Sequence, residues 1–432
     1  MRAAAAIALV LSLPAVAQAR PGDPDGSFGR HGTVTLKATD ADAVGGAVKV
    51  LANGKVLAGG SAGGQLVVLR LRRTGSLDST FGTKGQVAPA LPGTSLGGVR
   101  ALATFRDGRI VAAATLQTDA GTRMAVVRLL PNGEVDPSFG GGVGYALAGP
   151  AGSVLGAMAM DRTGNIVLAG SRPNGSGEVP IVLRLAPDGT PDATFATLDG
   201  AALGLSGRAT GVLARPDGSV VFCVGAGADR TGPATFTVVR LLATGAPDAG
   251  FAGTGIASFP LDPGSGLGAG ATALHAASAG TLLVAGTDVT AAGSLRGAVL
   301  RLRPDGTLDR RFGRGGLVHV ARAGRDLQIT AIARDARKRT VLVGLGAPPS
   351  SLVVRLRADG RRDRTFANGG ITFPRLGRPP GGDPVYTTLD AADTVGERIL
   401  LAGSAAGPGP LTRSSSGTTY GGRFALTVSR LR

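Results

Sequence analysis

The chain reads as an all-β protein, a seven-bladed β-propeller of four-stranded antiparallel blades. Three observations predict it: a Val-x-Arg-Leu segment recurring seven times, four short strands in each repeat, and a last repeat divided between the two chain ends. The arginines are Arg70, Arg128, Arg184, Arg240, Arg301, Arg355 and Arg430. In six copies a Gly follows five residues after the Arg, an Asp eight after and a Phe eleven after, as in Gly75, Asp78 and Phe81. The seventh copy stops short, because Arg430 lies two residues from the C-terminus, and its missing half stands at Asp25 to Gly29. Units of this length belong to solenoids, propellers or arrays. Solenoids carry atypical repeats at both ends, whereas this chain finishes on an ordinary Val428-Ser429-Arg430-Leu431 strand. The expected architecture is therefore a closed ring, in which the N-terminal strand pairs with the C-terminal blade and covers an otherwise open edge.

Within the first complete unit the strand candidates are Gly46 to Leu51, Lys55 to Ala58, Leu66 to Leu71 and Gln86 to Pro89. Short β-branched runs separated by tight-turn dipeptides read as antiparallel hairpins. Asn53-Gly54, Asp107-Gly108, Thr163-Gly164 and Asp217-Gly218 mark the turn between the first and second strands. Pro131-Asn132-Gly133, Pro187-Asp188-Gly189 and Pro304-Asp305-Gly306 mark the turn after the third. Helical periodicity is nearly absent. With no Trp and only 4% aromatic residues, the core must come from Val, Leu, Ile and Ala on many strands.

The recurring polar residues read as structure. An Arg at the same place in every blade, with an Asp eight residues on across a turn, predicts an ion pair folded back on itself. A planar guanidinium suits a partly buried carboxylate contact. The Gly supplies a positive φ for the turn, and the Phe fills apolar space between sheets. A ring of Asp ligands for Ca²⁺ is the alternative, but such sites need several oxygens converging within a few residues.

Residues 1–19 are expected to be a signal peptide: Arg2 is a positive start, Ala3 to Leu13 is apolar, and Ala17-Gln18-Ala19 has the small-x-small form of a cleavage site. Residues 20–432 form the expected single propeller domain, exported and extracytoplasmic. No segment is long and apolar enough to be a membrane-spanning helix. The one cysteine, Cys223, precludes an internal disulfide and sits in the strand-like run Val220 to Val224, where a buried inert thiol is expected. The net charge of +17 comes mostly from Arg, with Lys only at positions 37, 49, 55, 84 and 338. These cations read as spread through the repeats rather than clustered among aromatics, which argues against nucleic acid. An acidic surface polymer fits a positive exported chain better.

No catalytic constellation emerges. Glu134, Glu178 and Glu397 lie in turn-like or loop contexts of different blades with no pairing for glycoside hydrolysis. His31, His275 and His319 have no metal-ligand spacing. No nucleophile elbow or phosphate-binding loop is present. No catalytic, cofactor or metal residue is assigned, and no cofactor is expected. One segment breaks the repeat: Ser404 to Arg423, rich in Gly, Ser, Thr and Pro, reads as a flexible insertion in the last blade, with Arg413 and Tyr420 its best contact residues.

The units resemble the delta-60 repeat family, whose pattern is Gly-x-Leu-Asp-x-x-Phe-Gly-x-x-Gly followed by strands ending in Ala-Gly and Val-x-Arg-Leu. The segments Gly75 to Gly85 and Gly306 to Gly316 carry that motif, and Ala58-Gly59, Ala169-Gly170, Ala285-Gly286 and Ala402-Gly403 carry the strand end. Ala196, Ala252 and Ala367 depart from it by replacing the Gly after the Phe, and Ala112-Ala113 replaces Ala-Gly. The resemblance runs from about Asp23 to the last residue and implies a bacterial exported propeller. It supplies no catalytic residues.

Two functions fit these observations. The leading one is a secreted, non-catalytic scaffold that binds a protein or an acidic cell-surface polymer by one rim. The other is an extracellular hydrolase or lyase acting on a carbohydrate or ester through scattered Asp residues at the channel mouth.

Overall fold

The structure is a computed structural model and describes residues 20–36, 43–225, 234–262, 270–346, 350–374, 386–406, 411–414, 417–420 and 424–432. The expected signal peptide lies outside the described residues, as do 407–410, 415–416 and 421–423 of the expected insertion. Seven antiparallel blades follow one another in chain order. Blade 1 is typical, with strands Ala43–Val50, Val56–Ala62, Gln65–Leu71 and Gln86–Val87. Each strand pairs with the next, because tight turns join them and leave no room for a crossover. Three single 3₁₀ turns are the helical segments among the described residues. No described helix is long and apolar enough to cross a membrane.

Blade 7 is assembled from both chain ends. Its strands Ala391–Val395, Arg398–Ala406 and Phe424–Leu431 are completed by Thr33–Leu36, with Thr33 opposite Ser429 and Leu36 opposite Leu426. Tyr386–Thr387 adds a short pairing beyond its first strand. Ser404 to Ala406 thus finish the second strand, and Leu411–Ser414 pairs with Gly417–Tyr420 as a hairpin, whose Arg413 and Tyr420 side chains are not described. Closure is reinforced upstream: the Gly22 amide donates to the Arg432 carbonyl at 2.7 Å and the Asp25 amide to the Arg430 carbonyl at 2.8 Å.

The core sits between blades rather than at one centre. Apolar side chains alternate along each strand, so both faces of every sheet are apolar and each junction holds its own cluster. At the junction of blades 1 and 2, Leu57, Val68 and Phe81 meet Val99, Ile110 and Val127. At the junction of blades 7 and 1, Leu400, Val428 and Phe28 meet Val56, Ala58 and Leu69. The first strands of successive blades touch around the ring, and that of blade 7 touches that of blade 1. They line the central channel.

Candidate functional site

The seven repeated arginines do not form a site. Each pairs through Nε with its Asp at 2.6–2.8 Å, and Arg430 finds Asp25 across the chain ends as the other six find theirs across a turn. Each guanidinium lies over the motif Phe, 4.5–5.0 Å from the ring centroid. Nη1 reaches the next blade in several repeats: Arg70 Nη1 donates to the Pro131 carbonyl at 2.5 Å, Arg301 Nη1 to that of Ala358 at 2.7 Å, and Arg430 Nη1 to that of Arg73 at 2.7 Å, while Nη2 of Arg70, Arg128 and Arg430 stays within its own repeat on Thr80, Ser138 and Ser27. The Gly is needed twice over. Gly133 has φ +96, and a Cβ there would sit 2.9 Å from the Phe81 ring of the preceding blade. Burial alone would raise the Asp136 and Asp363 carboxyls, but hydrogen bonds from Ser138 and Thr365 and the charges of Arg128 and Arg355 hold both below the usual range. These groups are occupied in joining blades.

Non-repeated polar residues meet at two places. The first is the channel. The first strands of blades 1 to 6 each carry a one-residue bulge, at Gly46, Arg100, Gly156, Thr210, Thr272 and Thr330. The bulged threonines tie blade to blade, since Thr210 Oγ1 donates to the Ala271 carbonyl at 2.7 Å and Thr272 Oγ1 to that of Ile329 at 2.7 Å. In blade 7 the matching position is Asp390, half-buried, whose carboxyl is pushed up to about 6 by burial despite the Arg100 charge and a Thr388 hydrogen bond. Three residues further on, Lys49, His275 and Asp393 occupy equivalent places on blades 1, 5 and 7, with Arg334 beside them on blade 6. Asp393 is committed to ring closure, accepting from the Val50 amide at 2.8 Å and lying 3.4 Å from Lys49 Nζ. Burial holds His275 below its usual proton affinity, and the nearby positive charges of Arg334 and Lys49 act the same way. Its Nδ1 donates to the Ala276 carbonyl at 2.6 Å, so Nε2 carries the basic lone pair.

The second place is the opposite rim, on blade 5 (Ala271–Ala276, Leu282–Val289, Leu295–Leu302, Leu317–Val320) and its connection to blade 6 (Leu327–Arg334, Thr340–Gly346, Ser350–Leu356, Ile371–Thr372). A cleft there is lined by Thr290, Ser294, Arg296, Arg322, Arg325 and Asp326, among others. Arg296 is held by the fully buried Asp288 at 2.6 Å, which also lies 3.2 Å from His319 Nε2. Arg322 and Arg325 both lie over the Phe373 ring, at 5.2 and 4.9 Å.

Charge is concentrated along blades 5 and 6, contrary to the even spread expected from the repeat, although of these cations only Arg296, Arg322 and Arg325 line the cleft. Residues 291–370 hold seventeen Lys and Arg against six Asp and no Glu, a net of eleven positive charges out of the chain's seventeen. Counting by unit would have found the excess. Nothing in the local sequence places Phe373 beneath two arginines.

The other sequence candidates are structural in their contacts. Cys223 is fully buried, and burial pushes its thiol up to about 11. Glu178 lies in a strand rather than a loop and pairs with Arg208, while Glu397 bonds Arg339 at 2.8 Å. His31 occupies a turn with φ +54. Among the described residues no three metal-binding side chains converge.

The fold thus defines a closed-ring β-propeller whose repeats are scaffold and whose unrepeated residues gather at a channel mouth and a cationic rim. Four stretches, 51–81, 106–139, 162–195 and 279–312, match the family described as a β-propeller domain of unknown function, DUF5122. No curated protein matches the chain. Similar solved structures include a catalytically inactive virginiamycin B lyase from Staphylococcus aureus with quinupristin (14% identity, 92% of this chain and 98% of that one, TM-score 0.49). Another is Sqt1 from Chaetomium thermophilum bound to the N-terminus of ribosomal protein L10 (12%, 90% and 97%, 0.46). A third is the polysaccharide lyase Uly1 (10%, 90% and 90%, 0.46). The three differ in what they do.

Proposed function

We propose that this is an exported, non-catalytic propeller of delta-60 repeats that holds an acidic cell-surface polymer on the rim of blades 5 and 6. The observation that carries the reading is the net of eleven positive charges over residues 291–370, within those two adjacent blades. A field of that sign concentrates polyanions at the surface and weakens with salt. Retention of residues 20–432 on immobilised polyuronate or sulfated dextran tests it, with binding expected at low ionic strength and falling steeply as salt is added. Absence of retention on every polyanion at low ionic strength would overturn it.

The channel mouth supports a second reading, an extracellular hydrolase or lyase acting on carbohydrate or ester, with the neutral His275 imidazole as base. Turnover of any glycan or ester in a substrate panel, abolished by His275→Ala, would favour it over the scaffold.

A further inference from the structure

We infer that Asp390 is an acid-operated strap at the seam of the ring: protonated, its carboxyl donates to the Gly45 carbonyl and ties blade 7 to blade 1 beside the channel; ionised, it gives up that bond.

Three other junctions carry the same strap as a hydroxyl. Thr210 Oγ1 donates to the Ala271 carbonyl at 2.7 Å, Thr272 Oγ1 to that of Ile329 at 2.7 Å, and Thr330 Oγ1 to that of Leu389 at 2.5 Å. Each donor is the bulged residue of a first strand, and each acceptor is the residue just ahead of the matching position on the next blade. Asp390 holds that position on blade 7, since Leu389 before it accepts the Thr330 bond and Ala391 after it pairs with Ala402. By the same count its acceptor is the carbonyl of Gly45, which precedes the bulged Gly46 of blade 1. The backbone around the seam keeps the register of the other junctions. The Gly45 amide donates to Ser404 Oγ at 3.1 Å, as the Ile329 amide does to Thr287 Oγ1 at 3.3 Å between blades 5 and 6.

A hydroxyl can donate at any pH, whereas a carboxylate only accepts. Asp390 Oδ2 already accepts from Thr388 Oγ1 at 3.2 Å, which leaves Oδ1 to carry the proton toward Gly45. No cation offsets the ionised form at ion-pairing distance among the described residues. Arg100 is the charge that acts on it, and its Nε is turned toward blade 3, donating to the Gly156 carbonyl at 3.2 Å. The other charges on the strands packed around it are engaged elsewhere: Lys49 with Asp393, Asp335 with Arg339, Arg398 and Arg430 with Asp25, and Arg334 with the Lys338 carbonyl. Burial accordingly pushes the Asp390 carboxyl up to about 6. A carboxyl so raised adds stability that is complete below its unfolded value of about 4 and is lost as pH rises through about 6. That is the opposite sense to a carboxylate held by an ion pair.

The test compares residues 20–432 as wild type, Asp390→Thr and Asp390→Ala by hydrogen exchange at about pH 5 and about pH 7.5, which bracket the Asp390 value and lie above the range of ordinary carboxyls. The readout is the protection factor of amides in strands 43–50 and 391–395, the two first strands at the seam. Asp390→Thr supplies a hydroxyl at both pH values, and Asp390→Ala supplies no donor at either. At the lower pH wild type should match Asp390→Thr and exceed Asp390→Ala by about fivefold. At the higher pH it should fall about tenfold below Asp390→Thr. The histidines titrate in all three proteins and cancel in the differences. Wild type no better protected than Asp390→Ala at the lower pH would mean a buried carboxyl without a strap and would overturn the inference. A gap between wild type and Asp390→Thr that is equal at both pH values would overturn it as well.

Discussion

Blade 1 and blade 7 make the same contacts from opposite circumstances. In blade 1, Arg70 and Asp78 are eight residues apart and meet across a turn; in blade 7, Arg430 and Asp25 meet across a separation of 405 residues. Both carboxylates are ringed by cations, Asp78 by Arg70, Lys55 and Arg72, and Asp25 by Arg430, Arg398 and Arg432. Distances and burial hardly differ. What differs is the loop entropy paid to form them, so an identical local contact in blade 7 must hold the whole ring shut.

Deleting residues 20–36 should break this comparison most severely. Blade 7 would lose its fourth strand, the Asp25 and Phe28 contacts, and the bond from the Ala367 amide to the Pro21 carbonyl that joins blade 6 to this segment. We expect a loss above about 5 kcal/mol, seen as aggregation or a broad early melt; a deletion variant melting like the parent would refute closure by these residues.

Asp25→Ala and Asp78→Ala sharpen it. Each leaves a largely buried Arg without its carboxylate, at a cost of about 3–5 kcal/mol. Hydrogen exchange should distinguish them, with strands 33–36 and 424–431 opening ahead of the rest only in Asp25→Ala. The two carboxyls also set an acid limit. Burial would raise both, but for Asp78 the hydrogen bonds of Lys55 and Thr80 and the Arg70 charge win, and for Asp25 those of Ser27 and the Arg430 and Arg398 charges win, so both lie below the usual range. A lowered folded pKa gives stability that is complete above about pH 4, where the unfolded carboxyl ionises, and is lost as pH falls toward the folded value. Each variant should therefore show a shallower acid loss than wild type in melts from about pH 5 down to about pH 2, a window that brackets the unfolded carboxyl value.

The smallest effect concerns the residue after the motif Phe. Gly29 and Gly82 take φ +56 and +50 there, and Ala252 and Ala367 are forced to +52 and +43. A left-handed Ala is strained, so Ala252→Gly and Ala367→Gly should each stabilise by about 1 kcal/mol. Ala196 occupies the same place without positive φ, and Ala196→Gly should stabilise nothing; equal gains at all three would remove the strain argument.

The ring and its closure were legible in the sequence because the contacts that build them repeat. Val-x-Arg-Leu, the Gly, the Asp and the Phe recur at fixed offsets, and a broken copy has one place to find its other half. The inter-blade hydrogen bonds were not legible, since their acceptors are backbone carbonyls such as those of Pro131 and Ala271, which leave no mark on residue identity. The first-strand bulges were hidden for the same reason. Residues of the candidate sites, His275 and Asp390 in the channel and Arg322, Arg325 and Phe373 on the rim, occur once, and only folding brings them together.

The bond between the Gly22 amide and the Arg432 carbonyl places the start of the described chain beside its last residue. A ring so joined has no privileged first blade. Linking Arg432 to Arg20 and reopening the chain at the exposed Gly63-Gly64 turn would make a circular permutant in which blade 7 becomes continuous and blade 1 becomes the blade shared between termini.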